Sequence, residues 1–206
     1  MLITISRQFG TGGAEVARLV AGALGWHVVD NEIVDRVAHR AGLAPDAVAE
    51  QDERVPGFVE RLARALAASS QEFAVPEIGV AVRPAEPNLV RLTEMVVKEI
   101  AAEGQAVLVG RAAPAVLGRE AGVLHVKLVA GRDYRIEAVM ASEKLDRRGA
   151  ERLMDHTDAE RRRYHREHYG RDWDDPLHYH MVLNTGLLGI EETAALIVSE
   201  ARRQGW

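Results

Sequence analysis

Cysteine is absent from this chain, which excludes a disulfide framework and a thiolate metal site and fits a cytoplasmic protein. No apolar run approaches the ~20 residues needed to cross a bilayer, so no membrane partner is expected. The chain enters a strand-like run at Leu2 without the basic stretch and cleavable apolar segment of a secretory signal. Positive charge is not in excess. A formal net charge of −5 argues against general nucleic-acid binding, which depends on phosphate neutralisation. Any anion site must therefore be a local concentration of arginine. No serine stands in a G-x-S-x-G setting, so a hydrolase triad has no support, and there is no internal repeat or low-complexity segment. What remains is 206 residues, 47% hydrophobic and 28% charged, the composition of one globular α/β domain with room for an inserted lobe.

The most informative stretch is Leu2-Ile3-Thr4-Ile5-Ser6-Arg7-Gln8-Phe9-Gly10-Thr11-Gly12-Gly13-Ala14-Glu15. Leu2 to Ile5 reads as a strand that enters a glycine loop. The loop opens onto a helix whose Val16, Leu19, Val20 and Leu24 repeat at helical spacing. Unpaired N–H groups at a helix start point outward, the dipole favours an anion, and glycine lets the backbone approach it closely. A lysine is missing from this loop. With Gly12 placed on the second glycine of the nucleoside-triphosphate pattern G-x-x-x-x-G-K-[ST], the lysine position is Gly13, the hydroxyl position Ala14 and the first glycine Arg7.

Strand and helix signals then alternate. Trp26 to Val29 reads as a strand ending at Asp30, and Glu32–Arg40 and Pro56–Ala68 read as helices. Residues 69–88, with prolines at 76, 84 and 87, form an irregular connection. Asn88 is placed to cap a helix running through Ala102. Ala106 to Val109 has the continuous apolar character of a strand buried on both faces. Val123 to Val129 is a further strand, followed by a helix over Asp133–Met140, a charged helical stretch over 143–171, a strand over His180 to Leu183 and a closing helix over Ile190–Arg202. Strands separated by helices imply an α/β fold with a mostly parallel sheet covered on both faces. Ligands in such folds sit beyond the carboxyl ends of the strands.

Those strand ends carry the chemistry. Asp30-Asn31-Glu32 follows the second strand with Arg36 one helical turn later, and Gly110-Arg111 follows the third. Arginine suits a phosphate because its rigid fork donates two parallel hydrogen bonds and keeps its charge. Arg36 also has Asp35 and Arg40 beside it and reads equally as part of a solvated helix face. Residues 143–171 hold Arg147, Arg148, Arg152, Arg161, Arg162, Arg163, Arg166 and Arg171 among carboxylates. They form either a salt-bridged exposed pair of helices or a mobile lid bringing arginines over a transferring phosphoryl group. Asp158 and Arg161 share a helix face. His165 with His168, and His178 with His180, lack a carboxylate at ligand spacing, so they read as something other than a metal site.

Taken together, these segments resemble the cytidylate-kinase-like family within the nucleoside monophosphate kinases. The anchors are Ile3 to Gly13, Val29-Asp30-Asn31-Glu32-Ile33, Val107-Leu108-Val109-Gly110-Arg111-Ala112-Ala113, Asp158-x-x-Arg161, and Asp172-Trp173-x-Asp175-Pro176 with Asn184-Thr185. The resemblance spans almost the whole chain. It implies a P-loop kinase-like domain over residues 1–206: a five-stranded parallel sheet, a helical acceptor-binding lobe over 31–88 and a lid over 141–172. It further implies ATP and magnesium as cofactors, with Arg7, Gly10, Thr11, Gly12, Gly13, Ala14 and Glu15 around the donor phosphates. Asp30, Asn31, Arg36, Arg111, Asp158 and Arg161 would serve the acceptor nucleotide. Arg147 and Arg148 would lie in the lid, and Arg7, Arg111, Arg147 and Arg161 would stabilise the transferring phosphoryl group. The reaction implied is in-line transfer of the γ-phosphoryl group to a nucleoside monophosphate, CMP or dCMP first among them.

Three departures from ordinary cytidylate kinases accompany the likeness: Gly13 for the lysine, Ala14 for the magnesium-binding hydroxyl, and Ala112 for the carboxylate after the Gly-Arg pair. Arg7 is the natural substitute for the lost cation, and Glu15 for the lost magnesium ligand. Two other readings stand beside this one: a nucleotide-binding regulator that has lost turnover, and a kinase acting on a non-nucleotide metabolite. A homodimer is the default expectation for assembly.

Overall fold

The computed structural model describes residues 1–30 and 86–206. The two helices expected over Glu32–Arg40 and Pro56–Ala68, the acceptor lobe as far as residue 85, and the candidate residues Asn31 and Arg36 lie outside the described residues. Five strands, β1 (Leu2–Arg7), β2 (His27–Asp30), β3 (Ala106–Val109), β4 (Val123–Val129) and β5 (Met181–Asn184), form one sheet in the order β2-β3-β1-β4-β5. Every pairing is parallel, as the alternation of elements requires. The helices are α1 (Gly13–Leu24), α2 (Glu86–Glu103), α3 (Ala113–Leu117), α4 (Arg132–Glu143), α5 (Arg147–Tyr169), α6 (Thr185–Leu188) and α7 (Ile190–Arg203).

Alternation along β1 assigns its residues to opposite faces. Ile3 and Ile5, with Val107, Val109, Leu124, Val126 and Leu128, pack against Val16, Ala17 and Val20 of α1 and Ile197 and Ala201 of α7. On the opposite face Leu2, Val29, Ala106 and Leu108 pack against Val96, Val97 and Ile100 of α2 and Leu117 of α3. Asn88 does not cap α2, because the helix already begins at Glu86. Pro87 stands in its first turn, where a missing N–H costs nothing.

Toward β4 and β5 that second face changes character. Thr4 and Ser6 of β1 lie in register with His125 and Lys127 of β4, and all four are buried. Thr4 Oγ1 stands 2.7 Å from His125 Nδ1, and His125 stacks on His180 with centroids 5.2 Å apart. Trp173 donates its indole N–H to Ser6 Oγ at 2.8 Å. Lys127 Nζ donates to the Trp173 carbonyl and to Asp174 Oδ1, with its charge 4.0 Å from the indole centroid. The segment between α5 and β5 therefore closes this half of the sheet with a hydrogen-bonded polar layer. Each buried polar group there is paired, which is the condition for burying it at all. The Asp172-Trp173-x-Asp175-Pro176 segment has this structural task, and Asn184 caps α6 by accepting from Gly186 and Leu187 N–H.

Candidate active site

The carboxyl edge of the sheet brings Arg7, Asp30, Gly110 and Ala130 together, since β1 to β4 all point the same way. Residues 8–12 span the gap from β1 to α1. Gly12 caps α1 in the left-handed region, φ 72°, and its carbonyl accepts the first helical bond, from Val16 N–H at 3.0 Å. The N–H groups of Gly13, Ala14 and Glu15 precede that bond and are available to an anion. Gly12, Ala14 and Glu15 are exposed at this mouth. Beneath them, buried Thr11 donates from Oγ1 to the Gln8 carbonyl at 2.8 Å. Gln8 Oε1 accepts Ala130 N–H at 3.2 Å, which ties the loop to the end of β4.

Arg7 explains the missing lysine. A Cβ placed on Gly13 would stand 2.8 Å from Arg7 Cγ, and one placed on Gly110 would collide with Arg7 Nη1. The Arg7 side chain thus passes over the lysine position and lays its guanidinium against the turn after β3, 3.9 Å from Asp30. Both glycines are small because this arginine occupies the volume their side chains would take.

The turn after β3 is unusual. Gly110, Arg111 and Ala112 all have positive φ, 86°, 53° and 50°. For the two non-glycine residues the left-handed conformation costs about 1–2 kcal/mol each, strain of the kind that collects at functional sites. It turns Arg111 toward α5, where its charge opposes the rise that burial imposes on the Tyr164 phenol. Burial, then the neighbouring Tyr164 and Glu94, push the Tyr169 phenol up as well. Arg111 therefore faces Tyr164, whose ring lies 6.0 Å from that of Tyr169.

Helix α5, with Arg171 just beyond its end, reaches the end of β1, the glycine loop and α3. Asp158 Oδ1 accepts Phe9 N–H at 2.8 Å, Arg161 donates to the Arg7 carbonyl at 2.6 Å, and Arg171 donates to the Pro114 carbonyl at 3.0 Å. Sequence reasoning missed the partner of Asp158, which is Arg135 of α4 at 2.6 Å. Asp158 and Arg161, expected as a pair at the acceptor, stand 3.9 Å apart and both reach the glycine loop. Arg147 lies on the outer surface, paired with Asp133 of α4 and with Glu151. Arg148 is exposed. Glu15 pairs with Arg18 in the first turn of α1. Among the described residues no group of three or more histidines, cysteines or carboxylates could hold a metal ion, and no helix is long and apolar enough to cross a membrane.

Comparison with known proteins agrees with this architecture. An uncharacterised protein from Eubacterium ventriosum shares the fold with a TM-score of 0.69 and 21% identity over 98% of each chain. A shikimate kinase from Bacteroides thetaiotaomicron shares it more loosely, with a TM-score of 0.53 and 13% identity over 98% of each chain. A search of curated proteins finds no match. The family described as cytidylate kinase-like matches residues 2–187. The chain belongs to the cytidylate kinase-like family, and with it to the kinase-like phosphotransferases of the nucleoside monophosphate kinase superfamily.

Proposed function

We propose that this protein transfers the γ-phosphoryl group of ATP to a small anionic acceptor. The observation that carries the reading is Arg7 stretched from Gly13 to Gly110, a fixed positive charge between the glycine loop and Arg111. The loop amides would hold the donor phosphates, and Arg111 the anionic group of the acceptor. Arg7 would offset charge on the group in flight, the contribution a preorganised cation makes to a loose phosphoryl transition state. Arg161 would act from above, next to the Arg7 carbonyl.

ATP fits the amides at the start of α1. Magnesium fits less well as a resident ion. Glu15 stands in the first turn of α1 and is tied to Arg18. A magnesium ion would arrive with the triphosphate, held mainly by phosphate and water, and Glu15 would be its protein neighbour.

The acceptor is the finer question. CMP and dCMP are the nucleotide candidates. A non-nucleotide metabolite is favoured because Asp158 is only 3% exposed and its oxygens already accept from Phe9 N–H and from Arg135, which leaves it little surface to offer a sugar. An ADP-release assay with CMP, dCMP, UMP, AMP and GMP, followed by small hydroxylated acids, tests this. Turnover with the acids alone supports the metabolite reading, and turnover with one monophosphate restores the nucleotide reading. ATP binding without turnover across both sets assigns the protein as a nucleotide-binding regulator.

A further inference from the structure

Asp158 and Arg135 are the most deeply buried ion pair among the described residues, with side chains 4% and 10% exposed. A buried charge pair is costly unless its remaining hydrogen-bonding capacity is used. Here it is used on one target. Asp158 Oδ1 accepts Phe9 N–H at 2.8 Å while Oδ2 accepts Arg135 Nη1 at 2.6 Å. The same Nη1 approaches the Phe9 carbonyl at 3.3 Å. The pair thus grips both polar groups of one peptide residue in the glycine loop.

Three further contacts converge on the same point. Phe9 packs on Ile136, Val139, Ala150 and Met154, the core of the α4–α5 helix pair. Gly10 passes so close to α4 that a Cβ would stand 2.7 Å from the Arg135 carbonyl. Arg161 binds the Arg7 carbonyl at 2.6 Å and lies 5.8 Å from the Phe9 ring centroid. Residues 7–10 are therefore held by helices more than a hundred residues further along the chain.

We propose that Asp158 and Arg135 are positioning residues for the donor phosphate loop: they lock it to the α4–α5 pair, so the order of the loop and the placement of those helices are one property. This rests on the phosphotransferase reading only for its kinetic consequence. Asp158 acts through the Phe9 peptide and touches no acceptor. A loop held in its binding shape loses less freedom when an anion arrives, so loosening it weakens donor binding specifically.

The test compares Asp158→Ala, Asp158→Asn and Arg135→Lys in the full chain. Asp158→Asn keeps an oxygen for Phe9 N–H and loses the charge, while Arg135→Lys keeps the charge and loses the fork. Hydrogen exchange without ligand should quicken about tenfold for the amides of residues 8–11 in Asp158→Ala, less in the two conservative variants, and stay unchanged in β4 and α7. ATP affinity by calorimetry should fall in the same order, and the Michaelis constant of whichever acceptor turns over should stay within about twofold. An unchanged loop exchange in soluble, folded Asp158→Ala overturns the proposal. So does a rise in the acceptor constant with normal ATP affinity. If the wild-type chain binds no ATP, the phosphotransferase reading fails, and loop exchange alone decides the role of the pair. If Asp158→Ala does not fold, the two conservative variants decide it by the same readings.

Discussion

Arg7 and Gly13 share one volume: a side chain on Gly13 would start 2.8 Å from Arg7 Cγ. This makes a lysine at position 13 and an arginine at position 7 alternatives. Arg7→Ala should lower kcat by about 10²-fold, the usual effect of losing one charged transition-state partner. The loss of stability should be about 1–2 kcal/mol, since its ion pair with Asp30 is loose. Adding Gly13→Lys in the emptied space should recover at least about tenfold of that rate, whereas Gly13→Lys alone, meeting the arginine stem, should lower it. Steady-state kinetics on the three variants form a double-mutant cycle. Additive losses would show that the two positions do not exchange roles.

The strain at Arg111 leads to a second expectation. Arg111→Gly removes the guanidinium and also the steric penalty at φ 53°, so it should be about 1 kcal/mol more stable than Arg111→Ala. Both variants should lose about 10²-fold or more in kcat/KM. A control is Arg147→Ala. Arg147 is 54% exposed and paired with Asp133 and Glu151, so its removal should shift stability by no more than about 0.5 kcal/mol and turnover by less than threefold. Urea melts and kinetics on the same preparations check both. Comparable rate losses for Arg111→Ala and Arg147→Ala would show that the helix pair brings Arg147 into the reaction.

The central strands were legible at once. Ala106–Val109 has the bounds its apolar run indicates and Val123–Val129 the bounds expected of a strand, and the glycine loop lies between β1 and α1 as its sequence suggests. Long-range polar pairing was not legible. Asp158 lies three residues from Arg161, and helical spacing pairs them, yet the close partner is Arg135, 23 positions earlier. A segment so dense in opposite charges allows many pairings, and only the packing of α4 on α5 selects one. The polar layer did leave a trace. Thr4 and Ser6, and His125 and Lys127, recur with period two in strands otherwise apolar, which places four polar side chains on one face. The sheet register that joins them is a property of the folded chain.

That layer has a testable energetic character. Lys127→Met removes the donor to the Trp173 carbonyl and to Asp174, but Tyr179 still donates to that carbonyl at 2.8 Å and Arg162 still pairs with Asp174 at 2.6 Å. No group is orphaned, so the loss should be modest, about 1–2 kcal/mol by urea denaturation. ATP affinity should be unchanged, because Lys127 lies beneath Trp173 and away from the loop. A fall in ATP affinity with stability intact would instead connect Lys127 to the loop through Ser6, its register partner on β1.

Acid should act on the same region through two histidines. Burial, first among the causes, holds both the His125 and His165 imidazoles down at about 4, from an ordinary 6.5. Both are nearly inaccessible, at 2% and 7% exposure. Between pH 6.5 and 4 the unfolded chain therefore binds protons that the folded chain refuses, and stability must rise with pH across this window. It is fully present above 6.5 and declines as the pH falls. At 1.36 kcal/mol per unit, each histidine should remove about 2 kcal/mol between pH 7 and pH 5. Urea denaturation at those two values measures the loss. His165→Leu suits its ring-lined site beside Trp173, 6.3 Å away, and should roughly halve the difference, with His125→Gln removing the other part at some cost in hydrogen bonds to Thr4 and Gly118. Equal stability at pH 7 and pH 5 in the wild-type protein would mean that both rings take up protons in the folded state, and that the layer between β4 and the segment leading to β5 opens to water.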